Sequence, residues 1–346
     1  MHKELFVALV AAFASCPISF VFAQSSKPMM KAIVIHEYGG PEVLKYEDVP
    51  RPEPKEDEIL IRVMAASVNP VDAAIRKGYL ARLIGDKLPL ILGMDAAGVV
   101  EKIGTKITKV RAGDPVYAFF TLAGEGGYAE FVVAKESEVA LKPKAVTYEQ
   151  AAAIGAAGST AWEALVDRAR LSAGQTVLIH GGSGGVGHFA IQIAKARGAN
   201  VIATASTPNQ ELLKHLGTDV GIDYTKQKFE DVAKDVDVVL DSVGNDTLTR
   251  SYGVVKKGGI IVSIVDEPDK AALDAHGIRG TTLRASPKAN VLEELAQLID
   301  SKKITPFVSQ ILPLTEVARA HEQIATRHTR GKIVLKIADE PSTPRK

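Results

Sequence analysis

Residues 176–187 constrain this chain more than any other stretch. Thr176-Val177-Leu178-Ile179-His180 is a β-branched, apolar run that passes directly into Gly181-Gly182-Ser183-Gly184-Gly185-Val186-Gly187 and then an apolar-periodic helix through Lys195. Gly182, Gly184 and Gly187 spell G-x-G-x-x-G between a strand and a helix, with another β-branched run at Val201. Glycines there permit a tight turn and let the backbone approach a pyrophosphate, whose charge is met by free N–H groups and the helix N-terminus. The pattern predicts a dinucleotide cradle. The alternative is a glycine-rich turn needed only for helix–sheet packing.

Around this motif the chain has two textures. Runs at 176–180, 201–205, 236–240 and 260–264 alternate with helical patterns, which predicts a doubly wound parallel sheet of the Rossmann type over residues 151–300. Residues 30–150 instead show short β-rich runs at 59–63, 97–103, 115–120 and 127–133, broken by Gly and Pro, which predicts a mostly antiparallel β domain. An Ala-rich helix is expected at 148–169. The closing segment carries a helix at 314–326 and a β run at 332–337 that needs a sheet to join, so residues 304–340 are expected to complete the first domain. The length of 346 residues also favours two cores over one.

Charge and cysteine content narrow the function classes. Lys plus Arg number 42 against 41 Asp plus Glu, without a block of one sign, so nucleic acid is not an expected partner. Aromatics at 5% give little for base stacking, and one cysteine, Cys16, excludes a disulfide framework or a two-thiol redox pair. Lys3, the apolar run from Leu5 to Ala23 and the polar Gln24-Ser25-Ser26 read as a secretory signal, residues 1–23, cleaved after Ala23. That places the mature protein outside the cytoplasm. An uncleaved run would anchor it in a membrane; translation from Met29 or Met30 would leave it cytoplasmic.

Cofactor type follows from what the second strand lacks. A free ribose 2′-OH is usually met by Asp or Glu about 20 residues past the glycines. Between His188 and Gln210 there is no acidic residue, and the strand ends Thr204-Ala205-Ser206-Thr207. Small hydroxyls leave room for a 2′-phosphate, so NADP(H) is expected, with Asn209, Lys214 and Tyr224 as candidate contacts.

The glycine loop, Leu216-Gly217-Thr218-Asp219 before Ile222-Asp223-Tyr224, Asp241-Ser242-Val243-Gly244, and Arg330-Gly331-Lys332-Ile333-Val334-Leu335 together resemble the medium-chain dehydrogenase/reductase superfamily, and within it the zinc-independent quinone oxidoreductase (zeta-crystallin-like) branch. The resemblance runs from Met30 to Ile337. It implies a GroES-like β domain packed on a Rossmann domain with the active site between them, and a homodimer. In zinc-using members the metal ligands fall where this chain has Asn69, Met94 and near Ala156, which cannot make a tight zinc shell.

Without a metal, a quinone or an α,β-unsaturated carbonyl is the expected hydride acceptor, because it is already an electrophile. By resemblance, Asn69 lies near the nicotinamide and substrate oxygen, and Thr160 on the nicotinamide side. Gly184, Gly185 and Val186 hold the pyrophosphate, with Gly182 and Gly187 shaping the loop. Ser206, Asn209 and Tyr224 take the 2′-phosphate end, Val243, Ile264 and Val265 line the cleft, and Arg327 reaches the cofactor from the C-terminal segment. Tyr79, Phe119 and Phe120 are candidates to roof a flat substrate, with core packing as the alternative. Asn69 is equally a good turn former before Pro70, Asp72 and Arg76 are spaced for an ion pair, Asp95 reads as a turn anchor, and His180 as a strand-end histidine with a structural hydrogen bond. A noncatalytic NADPH-binding protein is the rival reading, and a zinc alcohol dehydrogenase a third.

Overall fold

The computed structural model describes residues 28–85, 87–121 and 126–340. The signal-peptide expectation falls on residues outside these.

Eight strands come from the first texture: β1 (Met29–Ile35), β2 (Lys45–Pro50), β3 (Glu58–Ser67), β4 (Leu90–Ile91), β5 (Asp95–Ile103), β6 (Pro115–Phe119), β7 (Phe131–Lys135) and β8 (Val139–Leu141). Six follow the glycine motif's pattern: β9 (Thr176–Ile179), β10 (Asn200–Ala205), β11 (Val220–Asp223), β12 (Val236–Asp241), β13 (Val255–Ser263) and β14 (Arg279–Thr282). These six form one wholly parallel sheet in the order β11-β10-β9-β12-β13-β14, the doubly wound arrangement expected from the sequence. Every residue of β12 is buried, as expected of a central parallel strand covered on both faces.

The last two strands, β15 (Val308–Pro313) and β16 (Lys332–Lys336), leave that sheet and extend the antiparallel one, ordered β15-β16-β3-β5-β6-β8. β16 runs antiparallel to β3 with Val334 opposite Ser67, and Ser67 in turn lies opposite Asp95 on β5. This register sets residues far apart in sequence side by side at one end of the sheet. A smaller sheet, β2-β1-β4, packs alongside.

The expected long helix at 148–169 is segmented. It runs as Tyr148–Ala152, restarts as Gly155–Trp162, and ends in a wider-wound turn at Glu163–Arg168. The restart has a steric cause: a Cβ at Gly155 would collide with the Asp95 carboxylate, so glycine is what lets this helix begin against β5. Phe119 and Phe120 are 3% and 2% exposed, so they are core residues and do not roof a site. No helix of the described residues is long and apolar enough to cross a membrane.

Candidate active site

The glycine loop connects β9 to the Gly187–Ala196 helix at the carboxyl end of the parallel sheet, where open α/β sheets bind ligands. Its glycines divide by job. A Cβ at Gly187 would run into the Gly181 carbonyl, and one at Gly182 would come within 2.8 Å of Leu213 and 2.9 Å of Ala203, so these two serve the turn and close helix–strand packing. A Cβ at Gly184 would meet only the Gly181 carbonyl oxygen, at 3.2 Å, and Gly185 faces the Lys332 side chain at 3.3 Å. That open face, ahead of a helix whose first N–H groups lack intrahelical partners, suits a pyrophosphate.

The loop is pinned from beneath. His188 is fully buried; its Nε2 accepts from the Phe307 N–H at 3.2 Å, so its Nδ1 carries the proton and donates to the Gly184 carbonyl at 2.9 Å. Burial holds this imidazole down to about 4, which keeps it neutral. Gln192 bridges the same helix to the backbone of Thr305, and the Gly331 N–H donates to the Ser183 carbonyl at 2.8 Å.

Next to the loop lies a buried polar cluster. Asn69 sits at the N-cap of the Pro70–Arg76 helix, where its amide usually caps the helix, yet its side chain makes no cap bond. Asp72 instead reaches back to the Asn69 N–H at 2.8 Å. The freed amide points elsewhere: its Oδ1 accepts from Lys332 Nζ at 2.5 Å and its Nδ2 donates to Asp95 Oδ2 at 2.8 Å. Asp95 is a hub, also accepting from Ser67 Oγ at 2.6 Å and from the Ala156 N–H at 2.5 Å. Its role is therefore not a turn anchor; it joins β5, the Asn69 turn and the Gly155–Trp162 helix.

Lys332 is 3% exposed, with Nζ donating also to the Val68 carbonyl at 3.0 Å and lying 3.8 Å from Asp95. Burial lowers its pKa while Asp95 and Asp72 oppose that shift. Asp72 is pushed up to about 7, chiefly by burial. Among the described residues its partners are the Asn69 N–H and, at 3.0 Å, the Tyr128 hydroxyl; the expected ion pair with Arg76 does not form. Arg76 is buried near Tyr128 and His321 instead, with Nε and one Nη unpartnered.

The remaining candidates are placed as follows. The Thr160 hydroxyl donates to the Ala156 carbonyl at 2.7 Å, leaving its lone pairs free to accept. Val243, at the carboxyl end of β12, lies against Gly181, and Val243 and Val265 are 43% and 49% exposed. Ile264 follows β13 and is half-buried. Tyr79 is 76% exposed, standing out in solvent and not in the core. Arg327 is an exposed residue in a left-handed turn (φ 60°), and the C-terminal residues that touch the loop are Gly331 and Lys332 instead. His180 is buried between Thr204 and Ser251, and burial holds it down to about 3, which suits a structural role.

At the far end of the loop, Asn209 Nδ2 donates to Ser206 Oγ at 3.0 Å while its Oδ1, though buried, has no partner. Tyr224 is half-exposed beside them. The structure also brings an acid here that the stretch 188–210 does not contain: Asp223, opposite Ala205 in the sheet, accepts from the Thr207 and Thr225 hydroxyls, which hold it down to about 2, and has Lys226 at 3.4 Å.

Among the described residues no three His, Cys, Asp or Glu side chains group to hold a metal. At the positions of the family's zinc ligands, the Asn69 amide is committed to Lys332 and Asp95, and the adjacent ammonium would repel a second cation.

Comparison with known proteins agrees with this geometry. Residues 55–144 match the family model described as alcohol dehydrogenase GroES-like domain, and residues 216–335 match that described as zinc-binding dehydrogenase. The chain is 38% identical to the NADPH-dependent alkenal/one oxidoreductase of Arabidopsis thaliana, covering 96% of this chain and 86% of that protein. The quinone oxidoreductase from Coxiella burnetii superposes with a TM-score of 0.84 at 36% identity, over 90% of this chain and 100% of that one. The Escherichia coli quinone oxidoreductase complexed with NADPH gives 0.80 at 31% identity, over 89% and 100%. The chain belongs to the medium-chain dehydrogenase/reductase superfamily, in its zinc-independent quinone oxidoreductase branch.

Proposed function

We propose that this protein is an NADPH-dependent oxidoreductase that delivers hydride to a quinone or an α,β-unsaturated carbonyl without a metal. The observation that carries this reading is the adjacency of an open glycine cradle and a buried Asn69–Lys332–Asp95 cluster at Gly185. The names of its relatives point to the same pair of acceptor classes.

The residues present fit NADP(H). Gly184, Gly185 and Val186 receive the pyrophosphate at the turn, where no side chain stands against Gly184 and the Lys332 stem lies against Gly185. The Ser206 and Tyr224 hydroxyls and the second N–H of Asn209 Nδ2 donate to the 2′-phosphate, while the Asp223 carboxylate is occupied by Thr207, Thr225 and Lys226. Reduced nicotinamide supplies the hydride. Thr160 accepts a hydrogen bond on its side of the cleft, and Val243, Ile264 and Val265 wall it. The substrate takes hydride at its electrophilic carbon, the π pair moves toward its carbonyl, and oxyanion charge develops there. The second N–H of Asn69 donates to that oxygen, and a solvent proton completes the reduction. Tyr79 covers the open side. The enzyme works as a homodimer, and residues 1–23 direct it out of the cytoplasm; N-terminal sequencing that finds Gln24 first supports export, and Met29 or Met30 first opposes it.

The test is NADPH oxidation by the purified protein with a quinone, an alkenal and a simple ketone, each with chelator and with NADH as control. Turnover of the quinone or alkenal, insensitive to chelator and preferring NADPH, is expected. Saturable NADPH binding without turnover of any acceptor would favour a binding role instead.

A further inference from the structure

Asn69 is held in one orientation by two groups that cannot exchange roles. An ammonium only donates and a carboxylate only accepts, so Lys332 on Oδ1 and Asp95 on Nδ2 fix which end of the amide is which. Turning the amide over would set NH₂ against NH₃⁺ and C=O against COO⁻. Lys332 does more than orient. Its charge sits 2.5 Å from the amide oxygen at a site 3% exposed, where water does not screen it. Withdrawing electron density through Oδ1 makes the N–H groups at Nδ2 stronger donors. The stem of Lys332 meanwhile lies against the glycine loop at Gly185, and the neighbouring Gly331 N–H is bonded to the Ser183 carbonyl, so the same two residues contact the cofactor cradle.

We infer that Lys332 is a positioning residue for hydride transfer, an internal cation that acts through the Asn69 amide to strengthen its hydrogen bond to the oxyanion forming on the substrate. This rests on the NADPH-dependent reading above. The mechanism is selective: an acceptor that develops more localised oxyanion charge gains more from a strengthened donor, so an alkenal depends on Lys332 more than a quinone does. The ammonium neither gains nor loses a proton in the step. The hydride comes from reduced nicotinamide and the balancing proton from solvent.

The experiment compares wild type, Lys332→Met, Lys332→Gln, Asn69→Ala and the Lys332→Met/Asn69→Ala double variant, using NADPH with an alkenal and with a quinone. For Lys332→Met, kcat on the alkenal falls roughly 10- to 100-fold, the scale of weakening one oxyanion donor, and falls less on the quinone. The Kd of NADPH, read by fluorescence, changes by less than about threefold. In the Asn69→Ala background, Lys332→Met has little further effect on kcat, because the amide it acts through is gone. Lys332→Gln, which keeps a donor without the charge, falls between wild type and Lys332→Met. An unchanged kcat in Lys332→Met with only a lowered Tm, or the same fold loss with Asn69 absent, overturns the inference. Should neither Lys332 variant fold, the wild type labelled with ¹⁵N-asparagine decides: one Asn side-chain amide shifted well downfield of the others supports polarisation, and none so shifted refutes it. Wild type inactive on every acceptor would instead remove the functional reading on which the inference rests.

Discussion

At the adenosine end of the glycine loop, the candidate contacts Ser206, Asn209 and Tyr224 come from residues 206–224, and of their charged neighbours Asp223 has its side chain 11% exposed and Lys226 66% exposed. At the other end, Ser67, Asn69, Asp95, Ala156 and Lys332 come from separate parts of the chain and are nearly or fully buried. Water can screen a misplaced charge at the first end and cannot at the second. A desolvated charge therefore needs its partner built in, and the sheet register β16-β3-β5 supplies it by aligning Val334, Ser67 and Asp95. The adenosine end can be retuned by single substitutions, whereas the buried end acts as a unit.

The largest test of this difference is Asp95→Ala. It removes the acceptor for Ser67, Asn69 and Ala156 and leaves the Lys332 ammonium buried without its nearest carboxylate, so urea unfolding should show a loss of about 3–5 kcal/mol. A loss below about 1 kcal/mol would mean that the buried end is as forgiving as the exposed one. Next, Asn69→Ala should lower kcat on an enone roughly 10²-fold while NADPH binding changes little; equal losses in both would assign Asn69 to cofactor binding. At the adenosine end, Ser206→Glu places a carboxylate where the 2′-phosphate is expected and should cut the NADPH-over-NADH preference on the order of tenfold, about 1.4 kcal/mol, without loss of stability. Steady-state kinetics with both cofactors checks this.

Acid titration separates the regions further. His180 and His188, held down to about 3 and about 4 by burial, stay neutral in the folded protein, whereas unfolded imidazoles take up protons near 6.5. The unfolded chain binds more protons in that window, so stability is present above 6.5 and is lost as pH falls toward the folded values, by ~1.4 kcal/mol per pH unit for each histidine. Asp72 has the opposite sign. Pushed up to about 7 by burial, it binds its proton more readily folded than unfolded and gains stability on acidification between about 7 and 3.8. Asp72→Asn should therefore steepen the acid loss in a pH series of unfolding curves; an unchanged slope would show that Asp72 does not titrate there. The smallest effect belongs to Tyr79→Ala, which should leave stability within about 0.5 kcal/mol and raise KM for the acceptor alone.

What the sequence made legible follows the same division. The cradle, the parallel sheet and the hydroxyl-lined second strand are contiguous patterns, so Gly182 to Gly187 and Ser206 could be placed from spacing alone. The C-terminal Arg330–Leu335 motif was visible too, but only as a family signature, because a lysine in a β run ordinarily reads as a solvated edge residue. Its burial depends on pairing with β3, which no local pattern encodes. For the same reason spacing makes Asp95 a turn anchor and Asp72 the partner of Arg76: both readings rest on near neighbours in sequence, while the partners in the structure are Ser67, Asn69 and Ala156 for the one and Tyr128 and the Asn69 N–H for the other. Arg327 lies in the segment that does approach the loop, but the chain makes its contact there at Gly331 and Lys332.

The pairing of residue 332 with residue 69 also sets an order of events in the life of the molecule. A ribosome must synthesise nearly the whole described chain before Asn69 meets the side chain that orients it, 263 positions downstream. Both sheets can begin to form earlier, but a contact of such long range closes late, since non-local contacts carry the greatest loop-closure cost. A nascent or C-terminally clipped chain can thus have its glycine turn in place and still lack a set amide. The Lys332 strand is in effect a check on the site, which makes a set Asn69 amide depend on synthesis having passed residue 332.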